Sequence, residues 1–258
     1  MPNTTPYALI FDMDGVIIDN TADQARAFQL LFRDLGLTTN ARRLLRRLNG
    51  MPAGQILKNV FTNPVPKQQL EQYAAQRELL YRVLYWNKRQ ALPGLRNFLQ
   101  AARAAGFRIA LGTGSGDDTI SYILDHLDLR RYFDVVVGKD DVPKGKPHPD
   151  TYTVTARKLG IPPERCLVFE DALLGEQAAY RAGIRCIGVS TTLQATDFQA
   201  PLAVIPDFTH LTPQLVLELL EQHPETPKPS KQLAKRSTCR GRRWLLLHVL
   251  PLGRLLLI

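Results

Sequence analysis

Two aspartates, Asp12 and Asp14, stand two residues apart where the apolar run Tyr7-Ala8-Leu9-Ile10-Phe11 enters a turn at Gly15. Aspartate is a poor strand former, so a pair at a strand's end calls for a reason. With the first pointing out of the strand end and the second opening the turn, both carboxylates face one cleft. Such a pair suits a hard cation such as Mg²⁺, which takes oxygen ligands. One of the two can also act as a carboxylate nucleophile that forms an acyl-phosphate. A simple polar turn explains Asp12-Met13-Asp14-Gly15 equally well on its own, since Asp and Gly are common turn residues.

Three later segments decide between these readings. Leu111-Gly112-Thr113-Gly114-Ser115 offers a hydroxyl, Thr113, and a glycine-freed backbone N–H, Gly114, suited to a phosphate oxygen. Lys144-Gly145-Lys146-Pro147-His148-Pro149-Asp150 holds Lys146 between turn residues, where its charge can neutralise a phosphate or a carboxylate. His148 reads as structural or exposed. Val168-Phe169-Glu170-Asp171 ends another apolar run in two adjacent acids.

The elements that must position these residues alternate. Tyr7–Phe11, Phe107–Gly112, Asp134–Gly138, Cys166–Glu170 and Cys186–Ser190 read as buried strands bounded by Gly, Asp or Pro. Helical periodicity falls on Leu95–Ala105, Thr119–Leu127, Thr151–Leu159 and Leu173–Ala182 between them. This alternation predicts an α/β fold with a doubly wound parallel sheet. Strand carboxyl ends converge on one crevice in such a sheet, so Asp12, Asp14, Thr113, Lys146, Glu170 and Asp171 can meet. Four acids and one lysine repel without a cation, and Mg²⁺ removes that repulsion.

One interval breaks the alternation. Asn20–Leu35, Leu44–Leu48, Gln55–Phe61 and Lys67–Tyr85 all read as helices. Residues 18–90 therefore form a helical insertion after the first strand. Residues 1–17 and 91–222 form the sheet-bearing core.

Composition sets the outer limits. A chain of 258 residues with 45% hydrophobic content suits one large or two modest globular domains. Cys166, Cys186 and Cys239 show neither a disulfide framework nor CxxC spacing. The net charge is +9, but eight basic residues against Glu225 follow Pro224, leaving about +2 for residues 1–224. The folded part therefore gives no reason to expect nucleic acid. Residues 223–258 read as a linker rich in Pro, Lys and Ser, a basic block Arg236–Arg243 and an apolar end. That end, Trp244–Ile258, is too short and interrupted for a membrane span, which takes about 20 apolar residues. The segment is expected to be a poorly ordered extension. No signal peptide is read, and a reducing cytoplasm is the simplest setting.

Together the segments resemble the haloacid dehalogenase superfamily, specifically its phosphoryl-transfer branch. The match runs over residues 7–192 with four motifs in family order: Phe11-Asp12-Met13-Asp14-Gly15-Val16-Ile17-Ile18-Asp19, then Thr113, then Gly145-Lys146-Pro147-His148-Pro149-Asp150, then Val168-Phe169-Glu170-Asp171-Ala172. The insert at residues 18–90 resembles the cap of the subgroup that holds β-phosphoglucomutase and small sugar-phosphate phosphatases. The resemblance implies a Rossmann-like core and a nucleophilic Asp12 that becomes an aspartyl-phosphate. Asp14 would serve as general acid and base, and Thr113, Gly114 and Lys146 would hold the phosphoryl group. It implies Mg²⁺ on Asp12, Asp171, Glu170 and the backbone carbonyl of Asp14.

Dehalogenases of the superfamily lack the second aspartate, so Asp14 argues for phosphate chemistry. Mutases with this cap carry a histidine where this chain has Gln24, and an arginine where Gly50-Met51-Pro52-Ala53 presents Ala53. A phosphatase acting on a small phosphorylated metabolite, by subgroup a sugar phosphate, is therefore the expected function. A β-phosphoglucomutase-type isomerase is the alternative, and a non-catalytic binding protein a further one. Cap contacts to substrate are expected from Asn20–Gln24 and Leu48–Gly54, with Asn20, Gln24 and Gly50 the named candidates. A monomer or weak dimer is expected.

Overall fold

The computed structural model describes residues 7–225. Six strands form one parallel sheet in the order β3-β2-β1-β4-β5-β6. They are β1 (Ala8–Phe11), β2 (Arg108–Gly112), β3 (Val135–Val137), β4 (Cys166–Glu170), β5 (Arg185–Val189) and β6 (Ala203–Ile205). β1 is central: Phe11 lies opposite Leu111 of β2 and Phe169 of β4.

Alternate residues of these strands point to opposite faces, and both faces are covered. Leu9, Phe11, Ile109, Leu111, Leu167 and Phe169 enter one buried cluster. There Phe11 stacks on Phe169 with ring centroids 4.7 Å apart. Ala8, Ile10, Ala110, Cys166 and Val168 enter another, beneath Tyr152, Ala156, Ala178 and Ala179. This is why the strands read as continuous apolar runs rather than alternating ones.

Four helices lie between β1 and β2: α1 (Thr21–Asp34), α2 (Ala41–Leu48), α3 (Ala53–Lys58) and α4 (Lys67–Tyr85). Ala25, Phe28, Leu31, Phe32, Leu45, Ile56 and Leu57 give them a buried cluster of their own. The chain leaves and re-enters the sheet region at one place. Ile18 bridges Ala91, and the Leu92 N–H donates to the Ile17 carbonyl at 2.9 Å.

The remaining helices are α5 (Leu95–Ala104), α6 (Asp117–Leu124), α7 (Asp150–Leu159), α8 (Leu173–Arg181) and α9 (Pro213–Gln222). The expected helices and strands are present, with ends shifted by a few residues. One such shift is in α6, expected over Thr119–Leu127. It starts two residues earlier, after Gly116, with Asp117 and Asp118 in its first turn, and gives way before the positive φ of Asp128. Acids are favoured at a helix N-terminus.

Strand β6 and helix α9 were not expected. β6 is as short as β3 but is flanked by Pro201 and Pro206, and proline argues against reading a strand. α9 carries the usual start signals, Thr212 accepting from the Leu215 N–H at 3.2 Å and Pro213 at the first helical position. Among the described residues no helix is long and apolar enough to cross a membrane. The expected extension lies outside the described residues from 226 onward.

Candidate active site

The carboxyl ends of β1, β2 and β4 place the chemistry. β1 is hydrogen-bonded on both sides, and the Asp12 N–H continues its ladder to the Phe169 carbonyl at 3.1 Å. Immediately afterwards the chain folds back on itself. The Ile17 N–H reaches the Met13 carbonyl at 2.9 Å, and Gly15, at φ +77°, donates to the Ile18 carbonyl at 2.7 Å. This tight turn sends Asp12 and Asp14 in different directions.

Asp12 points inward to Lys146. Lys146 Nζ lies 2.8 Å from Asp12 Oδ1 and 2.6 Å from Glu170 Oε1, and the lysine side chain is fully buried. Glu170 also accepts from the Tyr152 hydroxyl and from the backbone N–H groups of Asp171 and Ala172 at 3.1 and 3.3 Å. The Asp171 carboxylate accepts on Oδ2 from Asn49 Nδ2 at 3.2 Å and from the Thr192 hydroxyl. Its Oδ1 is buried with no hydrogen-bond partner.

Asp14 turns toward the mouth. Its Oδ1 accepts from Asn20 Nδ2 at 2.6 Å and Gln24 Nε2 at 3.2 Å, and its Oδ2 from the Ser115 hydroxyl at 3.0 Å. Thr113 is buried at the end of β2, where its N–H reaches the Val137 carbonyl at 3.0 Å and its hydroxyl accepts from the Ser115 N–H at 3.2 Å. Gly50 leans in from the helical insert. A Cβ on Gly50 would stand 3.5 Å from Lys146 Cδ, and one on Gly114 would stand 3.0 Å from the Gly50 carbonyl oxygen.

A cavity of about 770 Å³ opens above this floor. Asp12, Asp14 and Thr113 line it from the strand ends, and Gln24, Gly50 and Arg77 from the insert. The size suits a small organic molecule. His148 does not line it; its Nδ1 is 2.7 Å from Asp150 Oδ1, and its side chain is half-buried. This agrees with a structural or surface role.

Charge is concentrated here. Burial pushes the Asp12 carboxyl up to about 6, with Lys146 opposing the rise and Glu170 adding to it. Burial and then the Asp12 charge raise Asp14, while bonds from Asn20 and Ser115 pull it back. Burial, Glu170 and Asp12 together hold Asp171 well above the ordinary carboxylate range. Burial alone would lower Lys146, but its two carboxylate neighbours outweigh it and raise it.

The residues present fit a divalent cation. Asp12, Glu170 and Asp171 each offer a buried carboxylate oxygen, and these atoms lie within 4.8 Å of one another. A single lysine balances three acids, and Asp171 Oδ1 is a desolvated acceptor with nothing to accept from. A hard cation satisfies that oxygen and relieves the like-charge repulsion. The Asp14 side chain is not part of this group.

Every residue expected at the site is thus in or around one cleft. Four contributors went unread: Asn49, Ser115, Tyr152 and Thr192. Asn49 and Ser115 fall inside segments already under suspicion, Leu48–Gly54 and Leu111–Ser115. Tyr152 and Thr192 carry no local signal, because only the crossover connections bring them to Glu170 and Asp171.

Residues 9–189 match the profile of the haloacid dehalogenase-like hydrolases. The chain belongs to that family. Among its haloacid dehalogenase-like relatives, the fructose-1-phosphate phosphatase YqaB of Escherichia coli is 34% identical over 185 residues, which is 70% of this chain and 95% of that one. A phosphorylated carbohydrates phosphatase of Thermotoga maritima is 32% identical over 187 residues, covering 72% of this chain and 86% of that one. The fold matches the crystal structure of β-phosphoglucomutase from Clostridium difficile with a TM-score of 0.76, over 84% of this chain and 98% of that one, at 22% identity. The parallel Rossmann-like core is that of this hydrolase family.

Proposed function

We propose that this hydrolase removes a phosphoryl group from a small phosphorylated metabolite, with a sugar phosphate as the substrate class. The observation that carries the reading is the pairing of Asp12 Oδ1 with Lys146 Nζ at 2.8 Å, on the floor of a cavity that Asp14 and Thr113 share. Both similar phosphatases carry phosphorylated carbohydrates or a fructose phosphate in their names, which supports the substrate class.

Asp12 attacks phosphorus in line and takes the phosphoryl group as an aspartyl-phosphate, while the leaving oxygen departs. Asp14, raised by burial, gives that oxygen a proton and then takes one from the water that hydrolyses the intermediate. Thr113, the Gly114 N–H and Lys146 hold the phosphoryl oxygens. Catalysis of this kind is mostly positioning and charge stabilisation. Asp12, Glu170, Asp171 and the backbone carbonyl of Asp14 would hold Mg²⁺. When bound, that ion supplies positive charge against the phosphoryl oxygens and the clustered acids. The helical insert of residues 18–90 acts as a cap over the leaving group, excluding bulk water and setting specificity through Gln24 and Gly50, while Asn20, the third residue expected to touch substrate, holds Asp14 and Tyr81 instead.

Transfer to water is preferred over return to the substrate. Gln24, which contacts Asp14 beside Asn20 and Ser115, is an amide with no titrating nitrogen, and Ala53 supplies no charge for a second phosphate. The test is phosphate release from a panel of sugar phosphates and phosphoglycolate, with and without Mg²⁺, alongside Asp12→Asn. Release that needs both the ion and Asp12 is the expected result. Conversion of β-glucose 1-phosphate to glucose 6-phosphate without net release would make the enzyme a mutase. Unchanged turnover in Asp12→Asn would overturn the reading.

A further inference from the structure

The two oxygens of Asp171 live in different surroundings. Oδ2 accepts from Asn49 and Thr192 and packs over Gly15, where a Cβ would overlap it. Oδ1 is buried without a partner. Both donors on Oδ2 connect to the helical insert. Asn49 is the residue that ends α2, its own N–H fixed to the Leu45 carbonyl at 2.8 Å. Thr192 follows β5, and its Oγ1 lies 2.7 Å from Oγ1 of Thr21, the first residue of α1. A hydroxyl has one hydrogen to give. Thr192 gives its hydrogen to Asp171, so Thr21 is the donor in the threonine pair. The neighbouring Thr191 hydroxyl donates to the Gly15 carbonyl at 2.6 Å and anchors the same loop.

We propose that Thr192 and Asn49 are positioning residues that turn Asp171 so that Oδ1 faces the cation, and that Asp171 thereby couples cation binding to the seating of the helical insert on the core. The inference rests on the proposed reading of Asp171 as a cation ligand. Its physical basis is that a ligating carboxylate is oriented by hydrogen bonds to its other oxygen. Coupling between two sites is reciprocal. A cation that fixes Asp171 favours the Asn49 contact, and lifting α2 away removes a donor and frees the carboxylate to turn. The insert would therefore report whether the cation is present before any substrate arrives.

The test uses the full chain, with Mn²⁺ as probe. Mn²⁺ affinity is measured by electron paramagnetic resonance, and hydrogen exchange of residues 41–58 is followed with and without the ion. Loss of such an outer partner weakens metal binding by about 10- to 100-fold. Thr192→Val and Asn49→Ala are each expected to weaken Mn²⁺ about 10-fold, and Thr192→Ser, which keeps the donor, to bind as the parent does. The ion should slow exchange across α2 and α3 in the parent chain and leave Asn49→Ala unaffected. Parent-like Mn²⁺ affinity in both Thr192→Val and Asn49→Ala, or exchange indifferent to the ion in the parent, overturns the coupling while leaving the cation site standing. A parent chain that binds no Mn²⁺ overturns the cation reading itself, and the coupling with it.

Discussion

Lys146 Nζ lies 2.6 Å from Glu170 Oε1, with both side chains fully buried. The pair sits one step behind Asp12, so Lys146 holds two carboxylates at once. Removing one partner of a buried pair leaves an uncompensated charge and costs about 3–5 kcal/mol. Lys146→Met is therefore expected to be both inactive and destabilised. Adding Glu170→Gln should restore much of the stability and none of the turnover. Urea unfolding of the single and double variants in the presence of a chelator separates the two effects. Equal stability of the two variants would show that Glu170 does not depend on Lys146.

Gly175 lies in the first turn of α8 against the Glu170 carboxylate, and a Cβ there would overlap that carboxylate. In an ordinary helix, exchanging Gly for Ala stabilises by up to about 1 kcal/mol. Here Glu170 cannot step aside, because Lys146, Tyr152 and two backbone N–H groups fix it. Overpacking costs about 1–3 kcal/mol. Gly175→Ala is thus expected to lower the melting temperature, and to weaken Mn²⁺ binding as Glu170 is displaced. Thermal denaturation with and without Mn²⁺ checks both.

These two residues show where legibility in the sequence ends. Asp12 and Glu170 stand at the ends of apolar runs, so their convergence follows from strand direction alone. The strands themselves are legible because both faces of the sheet are buried, which makes each one apolar throughout. Lys146 follows the same logic one loop away from its strand. Gly175 and Tyr152 act through helix packing against a strand end, and no spacing in the chain announces that a helix glycine must leave room for a carboxylate. Thr192 is further removed, since its partners Thr21 and Asp171 come from segments 171 and 21 residues away. β6 was obscured by the prolines on either side of it, whereas α9 had its cap and proline in view.

Asp134 ties β2 to β3 away from the cleft. Its Oδ2 accepts from the Ile109 N–H at 2.9 Å and from Arg108 Nε at 3.0 Å, and Arg103 Nη1 lies 3.4 Å from Oδ1. Burial pushes this carboxyl up, but the Ile109 N–H and the two arginines outweigh it, and the net shift is below the ordinary 3.8. A carboxyl lowered by folding adds stability that is present above its unfolded value and is lost as pH falls through its folded value. Asp134→Asn should therefore melt a few degrees lower at pH 7, and the gap should begin to narrow as pH falls below about 4. Melting temperatures of the two proteins from pH 7 to pH 3 provide the check. A gap that stays constant across this range would show that the ionised form is not the stabilising one.

Asn20 spends both amide hydrogens inside the cleft, on Asp14 Oδ1 at 2.6 Å and on the Tyr81 hydroxyl at 2.7 Å. Tyr81 is fully buried, and burial together with the Asp14 charge raises its phenol, so it stays protonated and its oxygen can accept. Asn20 thus fixes the Asp14 carboxylate to a residue of α4, across the base of the insert. Asn20→Ala leaves a buried hydroxyl short of a donor, a loss of about 1–3 kcal/mol. It also removes the shorter of the two bonds to Oδ1 of the proposed acid and base. Proton transfer by a positioned group contributes about 10²- to 10⁴-fold. Asp14 keeps its Gln24 and Ser115 partners, so a loss of about 10-fold in kcat is expected rather than the full amount. KM should change little, because the amide is already committed to Asp14 and Tyr81. Steady-state kinetics on the best substrate of the panel, with Tyr81→Phe in parallel, tests the division of roles. Tyr81→Phe removes the hydroxyl but leaves the Asn20–Asp14 bond, so its kcat should stay near that of the parent. A rise in KM with kcat unchanged in Asn20→Ala would instead place Asn20 among the groups that bind the leaving part of the substrate.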